Sequence, residues 1–196
     1  QMNPAYRNVT LVELLSHRSG LAGFSEEKEL ATLHAVIGPE KNVIAQRAAL
    51  VAHYLTRPPA TKPGEFKYSN LGYIVAAAIA EARTARSWEE LLRREVWKPL
   101  GIRHAGFGPP ARKGKYDQPW PHEFVDNYAR PIDSANPRSE LPAAIGPAGL
   151  VNITLQDWRL FAQDQLDGLH GRGKLLNAES YRRLHTPFLE KYALGW

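Results

Sequence analysis

The chain has 196 residues, 43% of them hydrophobic and 23% charged, a composition that excludes a disordered or fibrous protein and suffices to bury a core. Its lack of cysteine excludes disulfides, thiolate zinc sites and a cysteine nucleophile. The formal charge of +5 comes from scattered residues, densest at Arg93 and Arg94 and at Arg112, Lys113 and Lys115; without a basic stripe interleaved with aromatics, no nucleic-acid partner is expected.

Thr10 and Glu13 stand at capping-box spacing and open the first predicted helix, with Leu11, Leu14 and Leu15 on its buried face and a stop near Gly20. Ser25 is placed as the cap of a second helix through Leu30 and Leu33 towards Val36, which Gly38 and Pro39 break. A third covers about Asn42 to Leu55, with Val43, Ala48, Val51 and Leu55 inward and Pro58 and Pro59 closing it. After Pro63 and Gly64 a helix opens near Asn70 and carries Ile74, Val75, Ala78, Ile79 and Ala82 at the three-and-four spacing of a core face. Ser87 and Glu90 form a second capping box, starting a helix that buries Leu91, Leu92 and Val96 and ends at Pro99 and Gly101. Later helices start at Thr154, with Trp158, Phe161, Ala162 and Leu166 inward, and at Asn177, with Tyr181 and Leu184 inward.

Residues 108–147 hold eight of the fifteen prolines and show neither helical nor alternating periodicity. They read as a long proline-rich ordered loop inside a single unit spanning 1–196, and loops of that length usually shape a binding rim or a lid. No membrane span is expected, because the longest apolar stretch, Leu71 to Ala82, falls far short of the roughly 20 residues needed. No charged-then-apolar signal pattern marks Gln1 to Asn8, and the compartment stays open.

Chemistry concentrates at KPGEFKYSN, residues 62–70, a turn and extended stretch at the mouth of a strongly apolar helix. In an extended stretch Tyr68 and Asn70 point one way, Lys67 and Ser69 the other. Two readings stand: a phenol and carboxamide that form a proton relay and substrate anchor, or an Asn70 that caps the helix while Tyr68 packs against it.

PGEFKYSNLGYIVAAAIAEARTARSWEELLRREVWKPLGI resembles the central signature of the β-lactamase-related serine hydrolases, which include class C β-lactamases, DD-peptidases and esterases. VTLVELLSHRSGL (9–21), GPAGLVNITLQDWRLFAQDQL (146–166), LLNAESYRRLHTP (175–187) and YALGW (192–196) resemble further blocks of that family, in its order. The resemblance implies a mainly α fold with a few short strands, near His104 to Phe107, Gly149 to Asn152 and Ala193 to Trp196. This would be the helical region of the serine β-lactamase/penicillin-binding-protein-like fold, lacking most of the antiparallel sheet. The family uses S-x-x-K, Y-x-N and a late K-T-G or H-x-G, kin to the S-x-x-K, S-D-N and K-T-G set of other β-lactamases; of these only Y-x-N stands convincingly here. Tyr68 is thereby implied as catalytic acid/base and Asn70 as the residue that binds the substrate's amide or carbonyl. A tyrosine, with its ordinary pKa near 10, serves as a base at neutral pH only beside cations.

Ser25 to Lys28 matches S-x-x-K literally but follows the block that the family's nucleophile precedes, and His104-Ala105-Gly106 matches H-x-G where the family has a turn. Both read as structural. The seven histidines lack ligand spacing, so no metal or cofactor is expected, and no G-x-S-x-G elbow occurs. The expectation is a fragment of a larger hydrolase domain acting on a small amide or ester, inactive alone, whose sheet-facing surface would favour self-association or a companion chain. A non-catalytic module binding acyl-peptides or a partner protein is the rival reading. A purely structural helical domain is the third.

Overall fold

The computed structural model describes residues 1–24, 27–188 and 191–196. It is mainly helical, with α1 (Leu11–Leu15), α2 (Glu27–Ile37), α3 (Val43–Leu55), α4 (Asn70–Thr84), α5 (Trp88–Leu92), α6 (Lys98–Leu100), α7 (Leu155–Leu169) and α8 (Ala178–His185). The strands β1 (Ala105–Phe107) and β4 (Val151–Ile153) pair antiparallel, as do β2 (His122–Val125) and β3 (Tyr128–Pro131). None of the described helices is long and apolar enough to cross a membrane.

Local capping chemistry places most helix starts where the sequence predicts them. Thr10 and Glu13 complete their reciprocal box, and Asn42, Thr154 and Asn177 each accept a backbone N–H of the first turn. Ser87 caps α5, while Glu90 turns to Arg86 at 3.4 Å. Pro99 does not end its helix: a π-helical turn over Arg93–Trp97 absorbs it, and the chain stops at Gly101 (φ 74°). The predicted cap Ser25 lies outside the described residues.

Three helix faces differ from their apolar periodicity. In α3 the buried residues are Arg47, Leu50 and Tyr54, with Ala48 exposed; in α4 Ile79 and Ala82 are exposed and Glu81 is buried. The reason is an ion cluster. Arg47, 0% exposed, sends all five N–H groups to acceptors: Glu81 (2.6–3.1 Å), Glu89 (2.6 and 3.0 Å) and the Ala143 carbonyl (3.2 Å). Glu81 also accepts the Trp88 N–H at 2.8 Å. In α7 Trp158 and Leu166 face solvent while Asp157, Asp164, Gln165 and Gly168 turn inward. Asp157 takes the N–H groups of Arg103 and His104, and Asp164 the Tyr181 hydroxyl and Lys174 N–H. Leu11 is likewise exposed, because α1 ends at Leu15 and buries only Leu14.

One core gathers Leu14, Leu21, Phe24, Leu33, Leu50, Leu71, Ile74 and Ile145 among others; a second gathers Trp97, Leu100 and Ile102 under β1, β4 and α7. The 108–147 stretch contains the β2–β3 hairpin, which apolar alternation does not reveal. Its signal is the two-residue turn Asp126-Asn127, both at positive φ (51° and 65°), a geometry that matches strand twist. The strand expected over Ala193–Trp196 is instead a turn, with Gly195 at φ 97° and Leu194 N–H bonded back to the Leu184 carbonyl.

Two substitutions test this frame. Arg47→Met leaves two carboxylates facing a core without their cation and should cost about 3–5 kcal/mol, read as a lowered urea midpoint. Gly72→Ala puts a Cβ 2.5 Å from the Leu14 carbonyl oxygen, a backbone neighbour that cannot yield; about 1–3 kcal/mol should be lost, read in the same titration.

Candidate active site

The candidate site is built where the chain leaving α1 meets the chain entering α4. Ser16 folds its hydroxyl back onto the Val12 carbonyl (2.7 Å), and His17 then takes a left-handed φ of 58°, a conformation histidine tolerates better than most side chains. From there residues 17–24 run alongside residues 60–70. Ala60 N–H donates to the Gly20 carbonyl, Gly64 N–H to Arg18, Lys67 N–H to His17 and Asn70 N–H to Gly23, all at 2.8–2.9 Å. Gly20, at φ 77°, lets the strands close, since a Cβ there would stand 2.7 Å from the Thr61 carbonyl oxygen.

This ladder presents Tyr68 and Asn70 on one side, as the alternation predicts. The Tyr68 hydroxyl donates to Asn70 Oδ1 at 3.2 Å, and Asn70 Nδ2 donates to the Phe24 carbonyl at 2.9 Å. Tyr68 is 52% exposed. Asn70 is the first residue of α4 rather than its cap; Ser69 holds the cap position but makes no side-chain capping bond. The helix-cap reading of Asn70 is therefore overturned. Ser69, 0% exposed, donates its hydroxyl to the Ala22 carbonyl at 2.6 Å, on the face away from Tyr68.

Sequence reasoning missed the residue beneath. His17 is 1% exposed, with its ring 4.4 Å from that of Tyr68, 5.9 Å from Phe66 and 4.7 Å from Tyr192. Its Nδ1 accepts the Ser69 N–H at 3.1 Å, and its Nε2 meets the Tyr192 hydroxyl at 2.9 Å. Tyr192 in turn meets the Tyr73 hydroxyl at 3.3 Å, and Tyr73 donates to the Leu15 carbonyl at 2.9 Å. Burial holds His17 below the usual imidazole range and pushes the Tyr73 phenol up, helped by its bond to Tyr192. The only sequence signal was a histidine within an apolar block, VELLSHRSGL.

The remaining candidates lie elsewhere. His104 exposes its side chain and its N–H goes to Asp157, while Gly106 pairs with Asn152 between β1 and β4, so this triplet serves the sheet. Of Ser25 to Lys28, the first two residues lie outside the described chain. Among the described residues no group of three His, Asp or Glu side chains gathers to hold a metal ion.

A family model described as Beta-lactamase matches residues 2–194. The chain belongs to the Beta-lactamase family of serine hydrolases. It is 30% identical over 162 residues to a protein named penicillin-binding protein 4 from Amycolatopsis lactamdurans, covering 82% of this chain and 39% of that one. Among solved structures, a penicillin-binding protein from Bacillus halodurans superposes with a TM-score of 0.72 at 18% identity, covering 97% of this chain and 57% of that chain. A D-stereospecific amidohydrolase from Streptomyces sp. gives 0.68 at 24% identity, covering 96% and 56%. The fold is thus that of the β-lactamase and penicillin-binding proteins. The chain spans 39–41% of the length of the first curated relatives it matches.

The buried imidazole sets a pH dependence of stability in this family member. A histidine whose folded-state pKa is depressed contributes stability that is complete above its unfolded value near 6.5 and lost as pH falls through it. His53, lowered by burial and by Arg57, acts in the same direction. Urea unfolding between pH 7.5 and 5.5 should therefore show stability falling with pH, with a shallower slope in His17→Asn; equal slopes would mean that His17 is not held neutral.

Proposed function

We propose that this chain supplies the Y-x-N element of an acyl-serine hydrolase that cleaves a small amide or ester. Tyr68 passes protons at the reacting carbonyl, and Asn70 orients the substrate. The observation that carries this reading is the 3.2 Å hydrogen bond between an exposed phenol and a carboxamide released from helix capping. Asn70 keeps its second Nδ2 hydrogen for a substrate carbonyl oxygen.

In the proposed reaction a serine oxygen attacks the carbonyl and an acyl–oxygen bond forms. The serine proton passes by way of the Tyr68 phenol oxygen to the departing nitrogen or oxygen as the bond from that atom to the carbonyl carbon breaks, and water later releases the acyl group by the reverse transfer. The nucleophilic serine, its lysine and the oxyanion-stabilising strand are assigned to residues beyond these 196, which form one unit of the larger domain. The share of the relatives' length that the chain covers supports that assignment. Without those groups the chain alone is inactive. The apolar residues that α7 and β4 expose, Val151, Leu155, Trp158 and Leu166, support a surface that another chain segment or a second copy covers.

The test is intact mass and burst kinetics with nitrocefin and p-nitrophenyl acetate, on this chain and on the longer protein that carries it. The longer protein should gain one acyl group, and Tyr68→Phe should lower its turnover by about 10²–10⁴-fold, while the isolated chain stays inert. A longer protein that never acylates sinks the proposal and leaves a non-catalytic module that binds acyl-peptides or a partner protein.

A further inference from the structure

His17 lies directly beneath Tyr68 and grips the backbone on either side of it without reaching the site's open face. Both ends of the residue hold the extended stretch that carries Tyr68: its carbonyl accepts the Lys67 N–H at 2.8 Å, and its Nδ1 accepts the Ser69 N–H at 3.1 Å. Between those two bonds lies Tyr68, and its ring is tilted 37° to the imidazole at 4.4 Å. Ser69 is also the residue from which α4 and Asn70 start. Displacing the imidazole would thus shift the phenol and the carboxamide together.

The hydrogen bonds assign one tautomer. Ser69 N–H can donate only to an unprotonated Nδ1, so the ring proton sits on Nε2 and is donated to the Tyr192 oxygen. Tyr73 already gives its proton to the Leu15 carbonyl, so Tyr192 donates to Tyr73. Every donor in the series has one acceptor. With both nitrogens occupied and the side chain 1% exposed, His17 cannot act on a substrate itself.

We propose that His17, held in its Nε2–H tautomer by the Ser69 N–H and anchored through Tyr192, is a positioning residue that sets Tyr68 and Asn70 in register for the reaction. This rests on the hydrolase reading above. The site asks for four properties at once: an acceptor towards Ser69, a donor towards Tyr192, a flat ring against Tyr68, and tolerance of φ 58°. Among the common side chains only histidine combines them. Asparagine retains the acceptor near the Nδ1 position and the left-handed tolerance, but loses the ring and the reach to Tyr192.

The experiment measures kcat and KM for p-nitrophenyl acetate in the longer protein, with His17→Ala, His17→Asn and Tyr192→Phe each made alone and over Tyr68→Phe, at a temperature where circular dichroism shows all of them folded. In the otherwise native background His17→Ala should lower kcat about 10²-fold with little change in KM, the scale of a misplacement near 1 Å. His17→Asn should recover part of that loss, and Tyr192→Phe should show a smaller one. Over Tyr68→Phe the same substitutions should add almost nothing, because a positioning residue acts through the group it positions. Equal fold losses in both backgrounds would overturn the proposal and make His17 a purely structural residue, as would unchanged kcat in all three variants. Should His17→Ala not fold, His17→Asn and Tyr192→Phe decide the question by the same comparison. Full turnover in Tyr68→Phe itself would instead overturn the proton-passing role given to Tyr68, and a longer protein with no turnover at all would overturn the hydrolase reading, both separate outcomes.

Discussion

A helix with a carboxylate in its buried stripe can sit in only one rotation, and α4 is such a helix. Glu81 must meet the guanidinium of Arg47 or stay uncompensated in the core, so the contact fixes α4 about its axis at its C-terminal half. Gly72 fixes the other half by letting the Leu14 carbonyl approach closer than any side chain would allow. With the helix so fixed, its first residue, Asn70, is presented beside Tyr68, and its bonds to Tyr68 and to the Phe24 carbonyl hold it there. The same guanidinium also holds the Ala143 carbonyl and Glu89. One buried cation therefore ties α3, α4, α5 and the end of the proline-rich stretch into a single frame.

The electrostatics follow from solvation. Removing Arg47 from water works against its charge, but its hydrogen bonds to Glu89 and Glu81 outweigh that cost and hold the guanidinium's pKa above its usual range. His17 is the opposite case. It has no carboxylate partner in its hydrogen bonds, only a backbone N–H and a phenol, so burial leaves it neutral. A neutral ring can accept at one nitrogen and donate at the other, which a charged ring cannot.

How legible this was in the sequence depended on the range of the interaction. Caps are read within three residues, and Thr10, Ser87, Thr154 and Asn177 stand where that reading places them. The pairing of Tyr68 with Asn70 is equally local, and strand alternation suffices to bring them together. Helix faces were misread where a buried charge finds its partner far along the chain. Arg47 and Glu81 are 34 residues apart, and Asp157 and His104 are 53 apart. Apolar periodicity counts leucines and valines and cannot see such a pair. His17 escaped for the same reason, since its partner Tyr192 lies 175 residues away. The family resemblance reached the fold class, which periodicity alone does not give, because blocks matched in order carry long-range arrangement implicitly.

The series from Ser69 through His17, Tyr192 and Tyr73 to Leu15 begins at a backbone N–H and ends at a backbone carbonyl. Neither terminus can release or take up a proton near neutral pH, so the series has one arrangement of hydrogens and no means of reversing it. It therefore cannot serve as a proton wire, although it looks like one. Any proton that reaches or leaves the Tyr68 phenol must therefore cross its exposed side, and the protein beneath the phenol acts as an insulator.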